Sequence, residues 1–217
     1  MKIICAGMYR SGSTWQYNAA RLIAGSGHRC GVLAGNKEEL LEIMAENFVI
    51  KTHPFDAVFV DPNIVVLTSY RDLRDVAASM KRFPSSGKFG TSPYNEMLRE
   101  IVVWHQKWAK VSVYNMRYED MVSDPVYEIK KLSNAMQVWV DAEMINKHIG
   151  SFKEPLSGFD PVTLLHSGHK TDGNPGSYAG TLGQEDIRDI EAEFGGWLVE
   201  HGYNPGSWNM AMAAEGL

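Results

Sequence analysis

The residues that could do chemistry stand at four places, each directly behind a short apolar run. Ile3-Ile4-Cys5-Ala6 leads into Gly7-Met8-Tyr9-Arg10-Ser11-Gly12-Ser13-Thr14-Trp15, and Phe48-Val49-Ile50-Lys51 delivers Thr52-His53-Pro54. Ile64 to Ser69 ends at Tyr70-Arg71, and Val111 to Met116 precedes Arg117-Tyr118-Glu119-Asp120. The first stretch has the strand, glycine loop, helix order of an anion cradle, in which backbone N–H groups and the positive end of a helix meet a charged oxygen. Gly7 and Gly12 have the glycine spacing of the nucleotide loop G-x-x-x-x-G-K-[ST], but Ser13 stands where that loop has its lysine and the cation inside the turn is Arg10. Cations at Arg10, Lys51 and Arg71, an imidazole at His53 and hydroxyls at Ser11, Ser13, Thr14 and Ser79 suit a ligand with separate anionic groups.

The elements that must position these groups alternate between strand and helix. Lys2–Ala6 reads as a buried strand and Thr14–Ala24 as a helix, ended by Gly25-Ser26-Gly27. A short strand around Cys30–Leu33 and a helix capped by Asn36, with Leu40, Leu41, Ile43 and Met44 inward, come next. Ile64–Ser69 is β-branched without polar alternation, as a strand covered on both faces should be. Helices are expected over Arg71–Arg82, Tyr94–Lys110, Pro125–Met136, Asp141–Ile149 and Gln184–His201, with the strand Val111–Met116 among them. Phe83–Pro93 has loop chemistry and reads equally as a flap over an acceptor or a solvated connector. Ser151–Gly183 is irregular for so long a stretch, which means function or missed elements. The pattern predicts an α/β fold: three-layer α/β/α with a central parallel sheet and a P-loop-like strand-loop-helix at the N-terminus. Ligands on such sheets bind outside the carboxyl ends of the strands, so the loop at Gly7, His53, Arg71 and Tyr118 are expected on one rim.

Length and composition narrow the classes. The 217 residues suit a single domain over 1–217, with 204–217 expected to fray. A net charge of -5 argues against a nucleic-acid partner, an anionic membrane surface and, to a smaller degree, a strongly anionic polysaccharide. The first apolar run is too brief for a signal-peptide core or a membrane span, which predicts a soluble, cytoplasmic protein. Cys5 and Cys30 make no disulfide framework or metal spacing. Among the other candidates, Trp104 and Trp108 read as packing residues of one helix face. Glu119 and Asp120 read as structural capping before Pro125 rather than a carboxylate pair. His166 and His169 lack a third ligand nearby, so no metal is expected.

Taken together, Tyr9-Arg10-Ser11-Gly12-Ser13-Thr14-Trp15, Lys51-Thr52-His53-Pro54, Tyr70-Arg71-Asp72-Leu73-Arg74-Asp75-Val76-Ala77-Ala78-Ser79 and Arg117-Tyr118-Glu119-Asp120-Met121-Val122-Ser123-Asp124-Pro125 resemble the ordered motifs of sulfotransferases. The resemblance implies 3′-phosphoadenosine 5′-phosphosulfate (PAPS) as co-substrate, 3′-phosphoadenosine 5′-phosphate (PAP) as product, and no metal. It implies that Arg10, Ser11, Gly12, Ser13 and Thr14 bind the 5′-phosphosulfate, that Trp15 and Tyr118 flank the adenine, and that Arg71 and Ser79 hold the 3′-phosphate. His53 is the matching catalytic base, with Lys51 and Arg10 neutralising charge on the leaving phosphate, and Lys170 is the nearest match to a closing segment over the 3′-phosphate. Soluble members of the family usually carry lysine where this chain has Arg10, and Arg, permanently protonated, cannot donate a proton to the leaving group. The expected function is sulfuryl transfer by in-line displacement to a hydroxyl or amine of a small-molecule or glycan acceptor. Two other readings stay open. One is a P-loop nucleotide or small-molecule kinase using ATP and Mg²⁺, against which stand Ser13 and the ending of the run Ile64–Ser69 in Tyr70-Arg71 rather than in an Asp that could hold Mg²⁺. The other is a non-catalytic nucleotide-binding module.

Overall fold

A computed structural model describes residues 1–33, 46–83, 87–169 and 173–206. The helix expected from Asn36, and Lys170, lie outside the described residues. Five strands form one parallel sheet: β1 (Lys2–Cys5), β2 (Arg29–Val32), β3 (Phe48–Lys51), β4 (Ile64–Tyr70) and β5 (Tyr114–Arg117), in the order β2-β3-β1-β4-β5. The helices among the described residues are α1 (Ser13–Ala24), α2 (Leu73–Arg82), α3 (Asn95–Ala109), α4 (Tyr118–Ser123), α5 (Pro125–Ala135), α6 (Ala142–Gly150) and α7 (Gln184–Glu200). These elements fall into two compact units, Met1–Tyr70 with Ile101–His169, and Arg71–Glu100 with Lys170–Leu217.

The first unit contains the whole sheet. Alternate residues of a strand face opposite sides, and both sides of this one are buried. Ile3, Cys5, Val49 and Leu67 pack with Tyr17, Ala20 and Ile23 of α1 and Ile129 and Leu132 of α5. Ile4, Ala6, Phe48, Ile50 and Val66 pack with Phe59 and Trp108 on the other side. That double burial is why the central strands carry no polar alternation. β1 lies between β3 and β4, so the chain crosses from β1 to the edge at β2, returns to β3 beside β1, and then passes to the other side through β4 and β5. The loop after β1 therefore leaves the sheet where its winding reverses, the place at which open parallel sheets hold ligands.

Some boundaries move. The strand expected over Val111–Met116 is Tyr114–Arg117, in register with Leu67–Tyr70 of β4, and Val113 is solvent-exposed. Part of the long irregular stretch is laid on α1, where Tyr17 donates to the Val162 carbonyl (3.1 Å) and Asn18 to that of Thr163 (2.8 Å). The cap ahead of Pro125 is Asp124, which accepts from the Tyr127 N–H (2.9 Å). Glu119 and Asp120 instead face Arg117 at 3.4 and 3.8 Å in the first turn of α4, a structural role of a different kind.

In the second unit, Asp72 caps α2 by accepting from Arg74 N–H (2.9 Å), and Arg74 ties α2 to α7 through Glu191 at 2.6 Å. Asp75 accepts from the N–H groups of Gly176 (2.7 Å) and Tyr178 (2.9 Å), which fastens the turn at Ser177–Gly180 to α2. Residues 204–206, expected to fray, are held: Arg74 donates to the Asn204 carbonyl (3.2 Å) and Gly206 N–H to Glu191 (3.2 Å). Residues 207–217 lie outside the described residues. No described helix is long and apolar enough to cross a membrane.

Candidate active site

The loop between β1 and α1 is shaped by two glycines, each required for its own reason. A Cβ on Gly7 would lie 2.0 Å from Ser69 Oγ and 2.8 Å from Ser13 Cβ. Gly12 has φ 76°, a left-handed conformation that favours glycine, and a Cβ there would lie 2.9 Å from Met121 Cε and 3.1 Å from the Tyr118 ring. The loop is pinned to β4 at both ends: Met8 N–H donates to the Ser69 carbonyl (2.9 Å), and the Ser11 hydroxyl bonds Met8 O (2.8 Å) and Ser69 Oγ (2.7 Å). Ser11 was expected among the phosphosulfate ligands, and here its hydroxyl is engaged in holding the loop; its N–H is the group it can offer an anion. Gln16 N–H makes the first bond of α1, to Gly12 O (2.9 Å), so the N–H groups ahead of it belong to the open amino end of a helix. Ser13 and Thr14 are buried there, and Tyr118, the first residue of α4, lays its ring against Gly12. Trp15 packs on the edge of the core formed with α1.

His53 stands two residues beyond β3 with its ring turned to the same loop. Its Nδ1 is 2.6 Å from the Gly7 carbonyl. A carbonyl only accepts, so the hydrogen is on Nδ1 and Nε2 keeps the lone pair. Lys51 Nζ, 3.2 Å away, donates to that Nε2. Trp108, buried at 0 % exposure as expected of a packing residue, donates its indole N–H to the His53 carbonyl at 3.2 Å and so fixes the backbone. Tyr9 stacks on the imidazole, with centroids 4.0 Å apart and planes at 25°. Beyond Tyr9 lies Trp104, at 6.3 Å. Both rings line a narrow recess with Met8, His53, Ile101 and His105. Trp104, read from periodicity as packing, is thus a partly exposed residue that lines the same recess as His53.

Burial and the neighbouring charges set the protonation. Desolvation, then the Lys51 ammonium, hold His53 well below its ordinary value, against the opposing Gly7 hydrogen bond. Desolvation, then the charge of Arg10, lower Lys51 to about 8, with Cys5 opposing. Arg10 has φ 60°, an uncommon backbone for a residue with a side chain, and its guanidinium donates to the His169 carbonyl at 2.9 Å. The arrangement offers a neutral imidazole whose Nε2 lone pair is held by Lys51, beside two cations and an open helix terminus. It can accept a proton and stabilise a departing anion.

In the second unit Arg71 is 2 % exposed, with Nη2 3.7 Å from Asp75 and 3.4 Å from the Gly173 carbonyl, and Ser79 is buried on α2. Among the described residues no group of three or more His, Cys, Asp or Glu could hold a metal ion. The groups that sequence reasoning missed are main-chain ones, the carbonyls of Gly7 and His169, together with the ring contact of Tyr9.

Residues 1–153 match the family described as "Sulfotransferase domain". No curated protein matches the chain. Among solved structures, the mouse sulfotransferase SULT7A1 complexed with PAP superposes with a TM-score of 0.69 at 17 % identity, covering 91 % of this chain and 84 % of that one. Retinol dehydratase in complex with androsterone and inactive cofactor PAP gives 0.60 at 16 %, covering 91 % and 80 %. Retinol dehydratase in a complex with retinol and PAP gives 0.58 at 17 %, covering 91 % and 81 %. At such identities the likeness speaks for the fold, and the α/β architecture with its parallel sheet agrees with it.

Proposed function

Because the chain belongs to the sulfotransferase family, we propose that it moves a sulfuryl group from PAPS to a hydroxyl or amine by in-line displacement, with His53 as general base. The observation that carries this reading is the Nδ1–H bond from His53 to Gly7 O, which leaves Nε2 as the basic atom beside the anion cradle. The acceptor oxygen or nitrogen attacks sulfur, its proton passes to Nε2, and the bond from sulfur to the 5′-phosphate oxygen breaks. Lys51, Arg10 and the N–H groups of the loop and of Ser13 and Thr14 face the charge that grows on the departing phosphate. Lys51 must leave Nε2 for that lone pair to act, and a phosphate oxygen is the better partner for an ammonium. Trp15 and Tyr118 are assigned to the adenine, and Arg71 with Ser79 to the 3′-phosphate. Lys170 keeps the assignment that the sequence motif gives it.

For the acceptor we infer a small molecule with an apolar body. Tyr9, Ile101 and Trp104 put apolar surface beside His53, the net charge of -5 disfavours a polyanion, and retinol dehydratase is seen with androsterone and with retinol. The kinase alternative has no support in the family match.

The donor is tested by melting the protein with PAP and, separately, with ATP and Mg²⁺. PAP at about a hundred times its dissociation constant is expected to stabilise by about 2.7 kcal/mol, and ATP with Mg²⁺ to leave the melting temperature unchanged. A shift with ATP and Mg²⁺ alone would overturn the reading. The pH profile gives a second expectation. His53 acts when deprotonated, so kcat/KM rises with pH through a midpoint below the usual 6.5 of histidine. Lys51 acts when protonated, so kcat/KM falls again near pH 8. An acidic limb above 6.5, measured on the free enzyme, would contradict the buried, Lys51-facing imidazole.

A further inference from the structure

The geometry points to Tyr9 as a positioning residue whose ring holds the His53 imidazole, in its Nδ1–H tautomer, aimed into the recess. This rests on the reading of His53 as the base. A histidine at a strand end has a broad, roughly two-fold second side-chain torsion. Trp108 fixes the His53 backbone and leaves the ring free of that constraint. The bond to Gly7 O fixes one ring nitrogen and Lys51 holds the other, but once Lys51 turns to the phosphate a single hydrogen bond lets a flat ring swing about its axis. A second plane at 4.0 Å and 25° removes that swing, and Tyr9 supplies it.

The loop is built to present that ring. Met8 N–H is bonded to Ser69 O on one side of Tyr9, and Ser11 Oγ is bonded to Ser69 on the other. The left-handed backbone at Arg10 turns its side chain toward His169 O, while Tyr9 lies on the imidazole. Tyr9 is 36 % exposed, so core burial does not dictate its place, and its removal should leave the fold intact. The charged and titratable groups around the imidazole are Lys51 from β3, Arg10 from the loop and His105 from α3 across the recess.

The test is nitrogen-detected NMR of the imidazoles in the full chain, with the His53 signals identified by their loss in His53→Gln. The wild type should show a single Nδ1–H tautomer at neutral pH and a titration midpoint below 6.5. Tyr9→Phe keeps the ring and should keep both features. Tyr9→Ala should give mixed tautomers and a midpoint moved up toward 6.5, because the imidazole gains water. Tyr9→Leu keeps apolar cover without a plane and should also mix the tautomers. With any acceptor the wild type turns over, Tyr9→Ala should lower kcat about tenfold, an amount within the range of misplaced acid–base groups, with the KM for PAPS within about twofold. Unchanged tautomer and midpoint in both Tyr9→Ala and Tyr9→Leu overturn the inference. Full turnover by His53→Gln instead overturns the base on which it rests, whatever the Tyr9 variants show.

Discussion

Replacing His53 by alanine is expected to lower turnover by about 10²- to 10⁴-fold, the usual contribution of a positioned acid or base, while the dissociation constant for PAP stays within about twofold. The split follows from where the imidazole points. Its Nδ1 is committed to Gly7 O and its Nε2 faces Lys51, so neither nitrogen belongs to the glycine loop's set of anion donors. The groups assigned to the donor are the loop N–H groups, the helix terminus and the cations, and the mutation leaves all of them in place. PAP binding measured by calorimetry, beside single-turnover transfer of labelled sulfuryl from PAPS, separates the two effects. Turnover at the wild-type rate would remove His53 from the mechanism. A parallel loss of PAP affinity would mean that the ring supports the cradle instead of the acceptor.

Much of the frame that produces this geometry was legible in the residues. β4 is a β-branched run with no polar alternation, and both neighbours of β1 pair with it in parallel, as such runs demand. α7 was legible despite Gly195-Gly196, because Ile187, Ile190, Phe194 and Leu198 all bury one stripe and that outweighs the glycine cost. The two tryptophans of α3 mark the limit of such reasoning. Their spacing of four puts Trp104 and Trp108 on one face, and periodicity says nothing about whether each turn of that face meets a core or a recess. Trp108 is fully buried against Phe59, whereas Trp104 looks onto Tyr9.

The candidate site was legible by residue type and not by bonding. His53 stands out as an imidazole behind a strand, yet its tautomer is decided by a main-chain oxygen 46 positions away, and a main-chain oxygen leaves no trace in a sequence pattern. Ser11 was legible as a hydroxyl in an anion loop; that its oxygen is occupied by Met8 and Ser69 depends on β4 lying beside β1. Arg10 was legible as a cation, and its partner, the His169 carbonyl, lies in a stretch without periodicity. In each case the missing part is a contact between segments far apart in the chain.

Gly7→Ala should be the most damaging small substitution in the loop. Its Cβ would sit 2.0 Å from Ser69 Oγ, a separation that nonbonded heavy atoms do not adopt, and 2.8 Å from Ser13 Cβ. Either the loop moves off β4 or Ser69 turns away and gives up its bond to Ser11, which is buried at 0 % exposure. Overpacking of this kind costs about 1–3 kcal/mol, and a buried hydroxyl left without its partner costs about 1–3 kcal/mol more. The same displacement carries away the Gly7 carbonyl that fixes His53, so the stabilisation by PAP and the Nδ1–H tautomer should be lost together. Denaturant melts of Gly7→Ala, Ser69→Ala and the double variant test the cause. Removing Ser69 Oγ takes away the closest clash, so the double variant should be less destabilised than the sum of the two singles. Strict additivity would show that Ser69 is not what Gly7 makes room for. The remaining approach to Ser13 Cβ, at the first residue of α1, would then be the reason that β1 must leave the sheet through a glycine.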